Sequence, residues 1–111
     1  VVLANRSTFS AANNFVSIMH LLPNIRIVGD CTGGGSGMPF SSEIPCGWGL
    51  RMSACPVYDA QMQLAEKGVQ PSEGCHVNLD PQLALKGTDT MLDFALDLAA
   101  DWRRWYRKED R

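Results

Sequence analysis

Val1-Val2-Leu3-Ala4-Asn5-Arg6-Ser7-Thr8-Phe9-Ser10-Ala11-Ala12-Asn13-Asn14-Phe15-Val16, carried on through Ile25-Arg26-Ile27-Val28-Gly29-Asp30, is the stretch that decides the fold. Residues 1–4 form a short unbroken apolar run, the pattern of a strand covered on both faces in a parallel sheet. The run stops at Asn5-Arg6-Ser7-Thr8, a cluster of turn and cap formers. From Ala11 onward Ala12, Phe15, Val16, Met19 and Leu22 recur at helical spacing, and Pro23-Asn24 closes the segment. Residues 25–28 are short and β-branched, and Gly29-Asp30 ends them. Strand, helix and strand in this order make a βαβ crossover, which requires parallel strands and a right-handed connection.

Working outward, Cys31-Thr32-Gly33-Gly34-Gly35-Ser36-Gly37 is too rich in glycine to be anything but a loop. It lacks the Lys-Ser/Thr ending of a P-loop and runs into Met38-Pro39-Phe40, so it is not a nucleotide cradle. Residues 40–44 and 48–55 read as strands joined by Pro45-Cys46-Gly47 in an antiparallel hairpin. Residues 58–71 read as an extended loop and residues 76–79 as a last short strand. Asp80 and Pro81 suit the cap and first position of a short helix reaching Leu85. Gly87 breaks it, Thr88 is placed to cap the next, and Met91, Ala95, Leu98, Trp102 and Trp105 mark one face of a terminal helix. The expectation is an α/β fold over residues 1–111, a mainly parallel sheet with flanking helices.

A chain of 111 residues with 45% hydrophobic content can bury one modest core. Its net charge of −2 and pI near 5.5 argue against nucleic acid as a partner, which would need clustered Lys and Arg. The one basic cluster, Arg103, Arg104, Arg107 and Lys108, reads as the wet face and last turn of the terminal helix. No apolar run approaches the ~20 residues that span a bilayer. The start, apolar and without Met, reads as a piece of a longer chain whose targeting signals lie upstream. Cys31, Cys46, Cys55 and Cys75 are too far apart for a metal knuckle, and as disulfides or as buried thiols they leave the compartment open.

Chemistry concentrates at residues 5–15, where hydroxyls fall between a buried strand and a helix start. A serine there presents its Oγ at the sheet edge, beside the unpaired N–H groups of the first helical turn. The same residues also suit plain helix capping by Ser10 or Thr8. His20 and His76 are the candidate bases. His20 lies about two and a half turns along the helix, roughly 15 Å from Ser10, out of reach; His76 reads as a structural residue of a strand.

The run Val2-Leu3-Ala4-Asn5, then Thr8-Phe9-Ser10-Ala11-Ala12, then Ile27-Val28-Gly29-Asp30-Cys31-Thr32-Gly33-Gly34 resembles the signature stretch of the tail-specific (C-terminal processing) serine peptidases. Further on, Gly68-Val69-Gln70-Pro71 is similar to that family's Gly-Val-x-Pro segment, and Gly87-Thr88-Asp89-Thr90-Met91-Leu92 to its closing Gly-x-Asp-x-x-Leu helix. The resemblance implies a ClpP/crotonase-like core, of which this chain is the carboxy-terminal, incomplete part. It also implies peptide-bond hydrolysis through an acyl-enzyme, with Ser10 as nucleophile and the Ala11 N–H as an oxyanion donor. Neither metal nor organic cofactor is implied.

The bacterial branch takes its base from a Lys that here falls on Gly35 or Ser36, so the Ser–Lys dyad is absent. The tricorn-like branch uses an upstream His and a downstream Glu near the Gly-Val-x-Pro segment, a slot that Glu66 occupies. Asn13 stands where the family usually has Glu and reads as a helix-start residue. Ser72-Glu73-Gly74 reads as a small insertion that displaces the strand holding His76. The partner implied is a peptide or protein substrate, the location the periplasm or cell envelope, and an open sheet edge would favour self-association. Two rivals share the fold: a noncatalytic peptide- or ligand-binding module, and a crotonase-type enzyme with an acyl-coenzyme A pocket.

Overall fold

The computed structural model describes residues 1–101. Trp102, Trp105 and the basic cluster that follows lie outside the described residues. The opening unit is a βαβ crossover: β1 (Val2–Ala4), α1 (Ala11–Met19) and β2 (Ile27–Gly29). β1 and β2 pair in parallel, with Val2 opposite Ile27 and Ala4 opposite Gly29. A single parallel bridge between Gly29 and His76 adds one more rung beyond β2. The strand expected at residues 76–79 is no longer than that rung. The turn before it, closed by Cys75 N–H to Ser72 O at 2.9 Å, bonds back to β2 through Ser72 N–H to Ile27 O at 2.9 Å, and this carries Cys75 inward.

Ile27 and Val28 are both fully buried and, as neighbours in a strand, face opposite sides of the sheet. Ile27 packs with Ala4 and Val16, beneath α1. Val28 packs with Cys75, Ala95 and Leu98, beneath α3 (Thr90–Ala100). Each such aliphatic side chain contributes about 1.5–3 kcal/mol by leaving water. Flanking helices on both faces are therefore present, but the parallel strands are only three residues each. The longer strands are antiparallel, so the sheet content of the described residues is not mainly parallel. Nor is β1 covered on both faces, because Leu3 is 44% exposed.

The α1 face that enters the core runs through Asn13 and Val16, with Met19 partly covered. Phe15, placed in the apolar stripe by spacing alone, is 53% exposed: it lies about 100° round the helix from Val16. The hairpin forms as its pattern requires, from β3 (Met38–Ile44) and β4 (Trp48–Cys55) around Pro45-Cys46-Gly47. In its register Phe40 faces Met52, Ser42 faces Leu50 and Ile44 faces Trp48, so one face is nearly all apolar. Both strands are exposed along their whole length.

Residues 58–71, expected to be extended, instead fold back in a tight turn at residues 59–63, closed by Asp59 N–H to Gln63 O at 2.9 Å, before a 3-10 turn at Ala65–Lys67. The short helix α2 (Pro81–Ala84) begins as expected, with the Asp80 carboxylate accepting from the Gln82 and Leu83 N–H groups. For α3 the cap is Asp89, one residue later than Thr88. Its carboxylate accepts from the Met91 and Leu92 N–H groups, a bond pair of about 1 kcal/mol. Met91, Ala95 and Leu98 are the buried face, as their spacing required.

Candidate active site

Asn5 builds the corner that ends β1. Its N–H donates to Thr8 Oγ1 at 3.1 Å, its side-chain Oδ1 accepts from the Ser7 N–H at 2.9 Å, and its carbonyl accepts from the Thr8 N–H at 2.8 Å. Thr8 is thereby spent on the turn and not on the helix. The chain then crosses beside the glycine loop, with the Gly33 N–H donating to Thr8 O and the Ser10 N–H to Gly34 O, both at 2.8 Å. Ser10 follows at φ 58°, ψ −121°, in the left-handed half of the map that a residue with a Cβ rarely visits. Its carbonyl accepts from the Asn14 N–H, so it stands at the helix N-cap.

The hydroxyl of this N-cap serine makes no capping bond. That distinguishes the two readings of Ser10, since an ordinary cap would bond the N–H of the second or third helical residue. Here the N–H of the second, Ala12, is taken by backbone, donating to Phe9 O at 3.2 Å. Among the described residues nothing takes up the Ala11 N–H. An exposed, unbonded serine hydroxyl on a strained strand-to-helix corner, next to an open N–H, has the components of an acyl-transfer centre.

Ser10 and Glu66 meet the same loop from two sides. Ser10 binds Gly34, while Glu66 Oε1 accepts from the Gly37 N–H at 2.9 Å, at the foot of β3. The main chain of Glu66 lies so close to Gly34 that a Cβ there has no room. Glu66 makes no hydrogen bond to Ser10. The loop is thus gripped on both sides by the molecule itself.

At Gly35 the backbone itself disfavours any side chain. It has φ +69°, and the Phe9 ring occupies the space a Cβ would need. Ser36, the neighbouring candidate, is buried and turned inward, where its Oγ accepts from Asn13 Nδ2 at 2.6 Å. Asn13 is no mere helix-start residue: it is fully buried and has every polar atom engaged in this network. Its Nδ2 also donates to Ala65 O at 3.1 Å, and its Oδ1 accepts from the Thr32 hydroxyl. Thr32 Oγ1 in turn accepts from the Val69 N–H at 2.6 Å. Sequence reading passed over Thr32 and misjudged Asn13; a polar residue on the buried face of α1 was the available signal.

At the carboxyl ends of the strands lies a second polar group. Asp30 Oδ2 accepts from Arg6 Nε at 2.8 Å, and Asp30 Oδ1 lies 3.3 Å from His76 Nε2. The Cys31 N–H, bonded to Asp30 Oδ1 at 2.7 Å, holds the carboxyl below its usual range; Arg6 and His76 add to that and burial opposes it. His76 is occupied with Asp30, and its side chain is 62% exposed. Neither His76 nor the exposed His20 hydrogen-bonds Ser10. A shallow cleft at the end of β1 is lined by Leu3, Asn5, Thr8, Leu79 and Met91. Among the described residues no three His, Cys, Asp or Glu side chains converge on a metal position, and no helix is long and apolar enough to cross a membrane.

Comparison with known proteins gives the family. The family model of peptidase family S41 matches residues 1–73, which include the Ser10 corner, the glycine loop and Glu66. Among solved structures, the crystal structure of a candidate peptidase from Parabacteroides merdae superposes with a TM-score of 0.80 at 48% sequence identity. The match covers 87% of this chain and 30% of that one, so this chain spans less than a third of its relative's length. No curated protein matches. With the family matched over most of its length and a close structural relative besides, the chain belongs to peptidase family S41.

Proposed function

We propose that this chain carries the nucleophile of a serine peptidase of the tail-specific type, with Ser10 attacking the peptide carbonyl. The observation that carries the reading is the Ser10 corner: a positive φ, a hydroxyl free of capping duty, and the Ala11 N–H open beside it. In the reaction the Oγ proton passes to a base as the Oγ–C bond forms, and the oxyanion is met by the Ala11 N–H. Collapse of this intermediate breaks the C–N bond, the base returns its proton to the leaving amine, and water then hydrolyses the acyl-enzyme.

Gly35 and Ser36 stand where the bacterial branch has its lysine, which favours the tricorn-like branch, with Glu66 as a supporting carboxylate near the loop and the base supplied from outside the described residues. The test is labelling of the full-length natural chain by a fluorophosphonate probe, set against its Ser10→Ala variant. Labelling that disappears with Ser10→Ala is the expected result. A folded chain that takes no label, or keeps it in Ser10→Ala, overturns the assignment and leaves a peptide-binding module.

A further inference from the structure

The hydroxyl of Ser10 is aimed by a backbone turn, and that turn hangs on the glycine loop through two bonds, Ser10 N–H to Gly34 O and Gly33 N–H to Thr8 O, both at 2.8 Å. What fixes the loop is therefore what fixes the serine. Residues 31–37 contain four glycines, and glycine has the largest conformational freedom to lose on ordering. Main-chain bonds at Gly33 and Gly34 tie the loop to the Ser10 segment, which cannot by itself hold both in place.

Besides Glu66, which holds the Gly37 N–H, Asn13 ties this pair to the rest of the molecule. It stands one turn beyond Ser10 on α1 and reaches three separate segments. Nδ2 binds Ser36 at the far end of the glycine loop and Ala65 O in the 3-10 turn, and Oδ1 binds Thr32 at the near end. Thr32 continues to the Val69 N–H. The loop is thus anchored at both ends to the helix that begins at Ser10. All of Asn13, Thr32 and Ser36 are buried, and buried polar networks of this kind select one arrangement because any other leaves atoms unsatisfied.

We infer that Asn13 is a positioning residue for Ser10: with Thr32 and Ser36 it clamps the glycine loop and thereby holds Ser10 in its left-handed conformation. The peptidase consequence rests on the function proposed above, but the clamp itself does not. Two donors on Nδ2 facing a hydroxyl and a carbonyl, and one acceptor facing a hydroxyl, are what a neutral carboxamide supplies and a carboxylate does not. An aspartate here would keep the shape and lose the donors once ionised. While protonated it would keep one of them.

The groups bonded to position 13 are all uncharged: Thr32, Ser36 and the Ala65 carbonyl. Burial and the Ala65 carbonyl would both raise the carboxyl pKa of Asn13→Asp, and Glu66, next along the chain, adds like charge. Its defect should therefore appear on raising the pH, which a simple loss of packing would not do.

The experiment is amide hydrogen exchange and fluorophosphonate labelling of the full-length chain as wild type, Asn13→Asp and Thr32→Val. In Asn13→Asp at pH 8 the Ser10 amide is expected to exchange at least tenfold faster relative to wild type, while the Asp30 amide, bonded to Ala4 O, keeps its protection. Labelling should fall by about 10²-fold, as expected for a reacting atom displaced by an ångström or so, and recover in part toward pH 5 relative to wild type. Thr32→Val should move both readouts in the same direction. Unchanged Ser10 exchange, or equal loss at Ser10 and Asp30, overturns the clamp. If wild type takes no label yet Ser10 exchange responds as described, the clamp stands and the peptidase reading falls.

Discussion

The Ser10 amide donates to the Gly34 carbonyl at 2.8 Å, and on the other side of Gly34 the main chain of Glu66 leaves no space for a side chain. The Ser10 corner is thus backed, through one glycine, by the 3-10 turn. Gly34→Ala meets unyielding backbone as well as an unfavourable φ of +72°, and a destabilisation of about 3 kcal/mol or more is expected. Urea unfolding of the folded chain measures it, and a loss under 1 kcal/mol would mean that the turn and the loop are not in contact.

Ser10 is strained for a reason unrelated to stability. At φ 58° and ψ −121° a glycine would be at ease and a serine is not. Ser10→Gly should therefore raise stability by about 1 kcal/mol while abolishing probe labelling. Ser10→Ala should abolish labelling without that gain. A urea midpoint that falls in Ser10→Gly would show that the corner is not strained.

The Arg6–Asp30–His76 group makes acid the relevant stress for the sheet's carboxyl edge. Asp30 is held below the usual carboxylate value, so its stabilising contribution is complete above about pH 4, the unfolded range, and is lost as pH falls through the lower folded value. Asp30→Asn should be less stable than wild type at pH 7, and the gap should close toward pH 3. A gap that does not change with pH would rule out this contribution.

Cys75 is buried in the cluster under α3, and that burial pushes its thiol pKa upward against a smaller opposing effect of Arg26. Its thiolate is the reactive form, so Cys75 should resist a thiol reagent at pH 8 until the chain unfolds. Cys46 and Cys55 are exposed and should react in the native protein. Mass spectrometry of the modified peptides separates the three. Native-state modification of Cys75 at the rate of Cys46 would show that α3 does not stay docked.

The periodic parts of the chain were legible in its sequence. The crossover from β1 through α1 to β2, the hairpin with its Pro45-Cys46-Gly47 turn, the Asp80-Pro81 helix start and the Met91, Ala95, Leu98 face all follow from local propensity and spacing, which act over a few residues. Ser10 could be singled out because a hydroxyl between a strand and a helix has only two common uses. Local patterning could not choose between them, and only the family resemblance pointed to the nucleophile.

That choice depended on contacts between residues far apart in the chain. The loop from Thr32 to Gly37 and the turn from Ala65 to Lys67 reach Ser10 and Asn13 across separations of 19 to 52 residues. No periodicity encodes such contacts. They are why Asn13, which looks like an ordinary helix-start residue, is a buried hub, and why the Phe9 ring lies over Gly35. The sequence by itself determined the elements and their order, because hydrogen bonding and side-chain spacing are local. Only the tertiary structure decided that Ser10 is free of capping duty and held at a strained angle, because that is set by what packs behind it.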